Sequence, residues 1–326
     1  MSAVVAAVDW GGTWLRAALA RDGELLAWGR QPRPAGFGEQ CDLACDLVGR
    51  LGTELGQPAR ALAVGIAGVV RGGRVASASN LGLSTPVDLA DRLRERCGIP
   101  AAVVNDTQAA AVAEAATLGP GTAVLLTVGT GVGGAIVSGG HLVLGEGAAG
   151  DFGHMVIDAG GPVCACGGRG CLEQLVSGRV LDETARELAA TGASPRLAER
   201  LAERLAERGA APERLHTGNL HTGNLHAGDL DEAARAGDPA ALAAIERAAA
   251  MLAAGLRSVT AVADPAVIVL GGGLMAPDRL LPRLVAERWL AQRPAWSPAD
   301  LRLARLGADA GLHGAAILAA RLPSGA

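Results

Sequence analysis

The chain is predicted to be an α/β protein of two domains with a cleft between its halves, and three observations predict it. Short apolar strands alternate with segments of helical periodicity along almost the whole sequence. Two stretches, starting near Val4 and near Ala123, open alike: a strand, a Gly/Thr loop and a second strand. At 326 residues, the chain exceeds what one hydrophobic core usually supports.

The elements follow in order. Val4 to Val8 is an apolar run ending at Asp9, and Leu15 to Ala20 and Leu25 to Trp28 continue it, with Asp22-Gly23 as a hairpin turn. Phe37 to Leu55 has helical spacing, Ala61 to Ile66 reads as a strand, and Gly72-Gly73 turns another hairpin. Val87 to Cys97 is helical. Ala101 to Val104 is a buried strand that delivers Asn105-Asp106 at its carboxyl end, and the next helix, about Thr107 to Thr117, starts with Asp106 near its cap. The second cycle runs from strand Ala123 to Val128 through Gly129 to Gly134 into strand Ala135 to Ser138. The uncharged stretch from Gly121 to Val137 is long enough to suggest a membrane span, but its glycines make it strand, loop and strand. Helices are expected near Leu172 to Ala190 and Ala240 to Val262, a strand at Ala266 to Leu270 running into Gly271-Gly272-Gly273, and a last helix after Gly311.

Residues 192–230 differ in kind. Leu-Ala-Glu-Arg repeats three times from Leu197, placing leucines on one helical face, and His216-Thr-Gly-Asn-Leu220 recurs at His221 and, degraded, at His226. A low-complexity insertion expanded in a surface loop explains this better than a histidine metal site, since no cysteine or carboxylate set accompanies the histidines. With no Tyr and only Phe37 and Phe152 as phenylalanines, the core must come from Ala, Leu and Val. A formal charge of −4 gives no electrostatic footprint for nucleic acid or an anionic membrane, so a small partner is expected.

His154, Cys164, Cys166 and Cys171 fall in the spacing His-x9-Cys-x-Cys-x4-Cys, which suits a closed tetrahedral structural zinc site. With six cysteines and no leader-like start, the sequence points to a reducing cytoplasm, in which Cys41, Cys45 and Cys97 are plain thiols. Two glycine-rich loops follow strands, Asp9-Trp-Gly11-Gly12-Thr13 and Gly129-Thr130-Gly131. Their backbone N–H groups can approach phosphate oxygens, and Asp9 can hold magnesium. Neither loop follows the P-loop pattern. Asp106 stands where an open α/β sheet normally binds ligands, with a helix cap as its competing role.

These motifs resemble the ROK sugar kinases and regulators, within the sugar kinase, Hsp70 and actin fold group; the resemblance implies a two-domain actin-like ATPase (ribonuclease H-like) fold. Asp9 to Thr13 is similar to the phosphate-1 motif, Gly129 to Gly134 to the phosphate-2 motif, Gly271 to Gly273 to the adenosine-side glycines, and Cys164 to Cys171 to the zinc loop. The resemblance implies an ATP- and Mg2+-dependent kinase in which Asp106 deprotonates the sugar 6-hydroxyl. Gly68, Asn80, Asn105, Asp151, His154 and Glu173 would line the sugar pocket, with His154 serving both Zn2+ and sugar. It also places a first domain at 1–117, completed by a C-terminal helix at about 305–326, and a second at 118–304 containing the zinc loop 154–171.

Two departures stand out: Asp151-Phe-Gly-His154 replaces the usual Glu-x-Gly-His, and Trp14 follows the phosphate-1 threonine. Glucose is the expected acceptor, with N-acetylmannosamine or N-acetylglucosamine as the alternative and a cyclitol third. A cytoplasmic homodimer is expected. The family's repressors, the main non-enzyme alternative, carry a winged helix ahead of the first strand, which begins here at Val4; a sugar-sensing protein without catalytic activity is the other.

Overall fold

The computed structural model describes residues 2–78, 81, 83, 85–207 and 225–323; Asn80, His216 and His221 lie outside them. The chain begins with an antiparallel meander, β1 (Val5–Trp10), β2 (Trp14–Arg21) and β3 (Glu24–Pro32), turned at Asp22 and Gly23, both at positive φ. After α1 (Phe37–Leu55), β4 (Leu62–Ile66) pairs parallel with β1. A small antiparallel sheet follows, made of β5 (Val69–Arg71), β6 (Arg74–Ser77) and β7 (Val87–Asp88). Then come α2 (Leu89–Cys97), β8 (Ala101–Asn105) and α3 (Asp106–Ala116), giving a first sheet ordered β3-β2-β1-β4-β8.

The second cycle contributes β9 (Thr122–Val128), β10 (Val132–Ser138) and β11 (His141–Leu142), then α4 (Glu173–Val176), α5 (Gly178–Ala190), α6 (Pro195–Glu207), α7 (Ala227–Arg235) and α8 (Pro239–Ala263). It ends with β12 (Val267–Gly271), α9 (Leu280–Gln292), β13 (Asp300–Leu303) and α10 (Ala310–Ala320), in a sheet ordered β11-β10-β9-β12-β13. Helix α8 is long and apolar enough to cross a membrane by length and composition; it packs against α7 and α9 with half of its apolar window buried.

The chain forms two units, one of Met1–Leu125, Gly134–Gly150 and Ala304–Ala326, the other of Leu126–Gly133 and Asp151–Leu303. Residues 134–150, expected in the second domain, thus pack with the first. In the first unit the two-residue period of β1 decides its core: Ala6, Val8 and Trp10 face Leu47, Val48 and Leu51 of α1, while Val5 and Ala7 face Leu312, Ala315 and Ala319 of α10. With both faces covered, the strands read as continuous apolar runs.

Several expectations are corrected. Cys45 and Cys97 are joined by a disulfide between α1 and the end of α2, so neither is a plain thiol. Gln40 and Phe37 on α1 already bring that helix against Trp10, which sets the register that puts Cys45 beside α2. The helix expected from Leu172 to Ala190 is broken at Ser177, which caps α5 by accepting from the Val180 N–H. The Leu-Ala-Glu-Arg repeats form the helix their spacing implies, α6, because a four-residue repeat aligns Leu197, Leu201 and Leu205 on one buried face. The last helix, Ala310–Ala320, lies where a helix after Gly311 is expected and is shorter than the 305–326 segment. Helix α9 and strand β13 carry no clear sequence signal and were not anticipated.

Candidate active site

In the first unit the site is built at the β8–α3 junction. Asn105, not Asp106, caps α3: its Oδ1 accepts from the N–H groups of Thr107 (2.9 Å) and Gln108 (3.2 Å), while Gln108 Oε1 accepts from the Asn105 N–H (3.1 Å). Asn105 Nδ2 donates to the Gly68 carbonyl at 3.0 Å, which brings these two candidate residues together. Asp106 becomes the first residue of the helix, its Oδ1 accepting from the Thr107 N–H at 2.7 Å. Burial pushes its carboxyl above the usual carboxylate range, against the Thr107 N–H, and the charge of Asp9 adds to the rise. A raised, strand-end carboxylate relieved of capping has the attributes of a general base.

Asp9 is the penultimate residue of β1 and is clamped. Arg16, its register partner on β2, donates to Asp9 Oδ2 through Nε (2.9 Å) and Nη2 (2.6 Å), and through Nη1 to Asp309 Oδ1 (2.9 Å) at the start of α10. Gly11 closes the turn by donating to the Trp14 carbonyl, and Arg33 Nε donates to the Gly12 carbonyl at 2.7 Å. The guanidinium of Arg30 lies 4.7 Å from the Trp14 ring centroid, so this departure from the family pattern is absorbed by a cation–π contact beside Thr13.

In the second unit the loop after β9 sits on α4 and α5. The Gly129 carbonyl accepts from the Gly178 N–H (2.7 Å), and Glu173 Oε2 accepts from the Val132 N–H (3.0 Å), immediately after Thr130-Gly131. A Cβ at Gly131 would come within 2.6 Å of that carboxylate oxygen. Glu173, expected only to bind sugar, therefore also shapes the phosphate-type loop. Gly271 ends β12, and Gly272 and Gly273 turn the chain directly after it.

The Asp151–Glu173 segment is irregular. Asp151 precedes a single 3-10 turn, Phe152–His154, whose Gly153 abuts the Val132 carbonyl so closely that a Cβ would lie 2.0 Å from it. Ligand atoms of His154, Cys164, Cys166 and Cys171 all lie within 4.8 Å of one another. His154 Nδ1 is 3.6 Å from Cys164 Sγ, and Cys166 Sγ is 3.6 Å from Cys171 Sγ. Tetrahedral zinc with thiolate and imidazole ligands requires edges of roughly 3.4–3.8 Å; these two distances match, and the donor types are those of a structural zinc site, in a cluster whose atoms all lie within 4.8 Å. The Cys166 backbone N–H draws the Cys164 thiol down to about 7, whereas burial pushes Cys171 up to about 12. Such a set gains from one shared positive charge. The other imidazole nitrogen, Nε2, faces Asp151 Oδ2 at 3.9 Å. Burial raises the Asp151 carboxyl, with His154 countering and Glu173 reinforcing the rise.

Arg16 is the residue that sequence reading missed; only the β1–β2 register, pairing Asp9 with Arg16, could have found it. Gln108 was missed as well, although Asn-x-x-Gln is a capping-box signature.

Comparison with known proteins gives a consistent answer. Residues 5–322 match the ROK family. The chain is 35% identical over 319 residues to an N-acetylmannosamine kinase of Escherichia coli O6:K15:H31, spanning 96% of this chain and 97% of that protein. Among solved structures it resembles a ROK hexokinase of Thermus thermophilus, with 31% identity, a TM-score of 0.80 and 97% coverage of each chain. It also resembles a ROK family glucokinase of Streptomyces griseus in complex with glucose and AMPPNP, with 32% identity, a TM-score of 0.74, and 97% of this chain and 99% of that one covered.

Proposed function

The chain belongs to the ROK family and has the α/β actin-like ATPase fold, and from that premise we propose that it is an ATP-dependent sugar kinase acting on the 6-hydroxyl of N-acetylmannosamine. The observation that carries the kinase reading is Asp106, a carboxylate at a strand end whose capping role Asn105 has taken over and whose proton affinity is raised. In this reading Asp106 accepts the hydroxyl proton as the sugar oxygen attacks the γ-phosphorus, and ADP leaves. Asn105, Gly68, Asp151, His154 and Glu173, with Asn80, hold the sugar; fixed polar partners of this kind supply most of the advantage of positioning.

Gly11, Gly12 and Thr13 serve the ATP phosphates together with Thr130 and Gly131, and Gly271, Gly272 and Gly273 serve the adenosine side. Magnesium supplies charge neutralisation when bound, with Asp9 as its protein contact and Arg16 holding that carboxylate in place. Zinc in the Cys3His set would fix the loop that carries His154 and leads to Glu173. A cytoplasmic homodimer belongs to the same reading, and light scattering tests the dimer.

The acceptor shifts from glucose, the first choice of the sequence, because a relative aligned over nearly the whole chain at 35% identity is named for N-acetylmannosamine. Glucose is the second reading, supported by the 32% identical glucokinase in complex with that sugar. A coupled ADP-release assay over N-acetylmannosamine, N-acetylglucosamine, glucose, mannose and fructose decides it. N-Acetylmannosamine should lead by at least tenfold in kcat/KM, since a site built around particular polar groups rejects analogues by up to ~10⁴-fold. A lead for glucose reverses the acceptor assignment, and no turnover of any sugar removes the kinase reading.

A further inference from the structure

We propose that the Cys45–Cys97 disulfide is a reducible staple through which a small dithiol reductant controls the two catalytic segments of the first unit. The inference deepens the kinase reading and rests on it for the word catalytic. The bridge spans 52 residues, from the middle of α1 to the last residue of α2. Each arm runs into one of those segments. On α1, Gln40 Oε1 accepts from Trp10 Nε1 at 2.8 Å inside the core, and Phe37 stacks on the Trp10 ring with centroids 5.6 Å apart; Trp10 directly follows Asp9. On the other arm Cys97 and its cap Gly98 lead within a few residues into β8, which ends in Asn105-Asp106. Outside the bridge, α1 and α2 share the buried core through Leu47, Val48, Leu89 and Leu93 and are joined at the surface by an ion pair, Arg96 to Asp42 at 2.7 Å.

Access is built in. Both half-cystines line a cavity of about 480 Å³ with Gly49, Thr53, Pro58 and Ile99, room enough for a small dithiol. Cys41, one helical turn before Cys45, is buried, and burial pushes its thiol up to about 11, which disfavours its attack on the bridge. The reductant therefore comes from outside. One thiolate of the dithiol attacks one sulfur of the bridge and the other cysteine leaves as a thiolate that takes up a proton. The second thiol of the reductant then displaces the mixed disulfide, so Cys45 and Cys97 become thiols and the dithiol becomes a disulfide. In a reducing compartment a disulfide of this kind is characteristically transient and sensing rather than structural.

The test uses the whole protein and dithiothreitol as probe. Thiol titration of denatured, chelator-treated protein should give four free thiols before reduction and six after. Reduction should lower Tm by roughly 5–10 °C and speed amide exchange about tenfold in residues 9–13 and 105–108. The Cys45→Ser/Cys97→Ser double variant should show both changes without reductant and no response to it, which separates the staple from any effect of dithiothreitol on the Cys3His set. Six thiols before reduction, or a bridge whose reduction leaves exchange in both segments unchanged, overturns the proposal. If exchange responds while no sugar is phosphorylated, the staple stands and the kinase reading falls, so the two failures are distinguishable.

Discussion

The β8–α3 junction and the Asp151–Glu173 segment hold their candidate site residues by opposite means. At the junction Asp106 is fixed by regular structure: the edge strand β8 paired parallel with β4, a helix start and a reciprocal cap by Asn105 and Gln108. From Asp151 to Glu173 there is one 3-10 turn and otherwise loop, crossed by two isolated bridges, Val156 to Cys171 and Val163 to Arg169. It is held by backbone hydrogen bonds such as Leu172 N–H to the Met155 carbonyl at 2.8 Å, by close packing at Gly170, where a Cβ would lie 1.5 Å from the Asp158 carbonyl, and by the Val132 to Glu173 contact, and it carries the clustered Cys3His set. Damage to the first region should therefore remove chemistry while leaving the fold, and damage to the second should loosen binding and fold together.

The largest expected effect is at the junction. Asp106→Asn keeps size and polarity but cannot accept a proton, so kcat should fall by roughly 10²–10⁴-fold with Tm and sugar affinity nearly unchanged. Wild-type turnover in this variant would reduce Asp106 to a structural residue and erase the contrast. Next comes Cys166→Ser: elemental analysis should find about one zinc per wild-type chain and none in the variant, with KM for sugar raised by about 10–100-fold and Tm lowered. Equal activity of metal-free and metal-loaded protein would show that the loop orders itself without the metal.

Removing the guanidinium in Arg16→Ala should weaken ATP and magnesium use by about tenfold through a mobile Asp9, while sugar KM stays put. A change in sugar KM alone would show that the clamp acts elsewhere. The pH profile sharpens the comparison with a smaller effect. A raised Asp106 pKa means that the working carboxylate is lost sooner as pH falls, so the acid limb of kcat/KM should lie above the ordinary value of 3.8. The limb should vanish in Asp106→Asn and persist in Cys166→Ser. Smallest is Asp151→Glu, expected to shift the preference between glucose and N-acetylmannosamine by less than about tenfold; coupled assays on both sugars read it.

The difference between the regions also governs what could be read from sequence. Local patterns were legible: the strand ending at Asn105-Asp106, the glycine loops and the Cys3His spacing all rest on neighbours close in the chain. The cap assignment was one residue off, because Asn and Asp are nearly equal as caps and the Gln at the third helical position breaks the tie only if it is looked for. What needed tertiary register was invisible. Arg16 meets Asp9 across a hairpin, Cys45 meets Cys97 through the packing of two helices, and Glu173 reaches Val132 over 41 residues. Helix α9 escaped because its apolar residues are spread around its circumference instead of along one stripe.

The repeated helix α6 carries a limit on its own growth. Four residues advance a helix by about 400°, so each Leu-Ala-Glu-Arg unit rotates its leucine by about 40° relative to the last. Over three units this drift is tolerated, and Leu197, Leu201 and Leu205 all stay buried. A fourth unit would carry its leucine about 120° from the first and out of the buried face. The sequence has Gly209 at that position, not leucine. Duplication of a twelve-base unit in the gene can thus lengthen this helix only until geometry turns the next copy towards water, after which each added leucine becomes a solubility defect that selection can see.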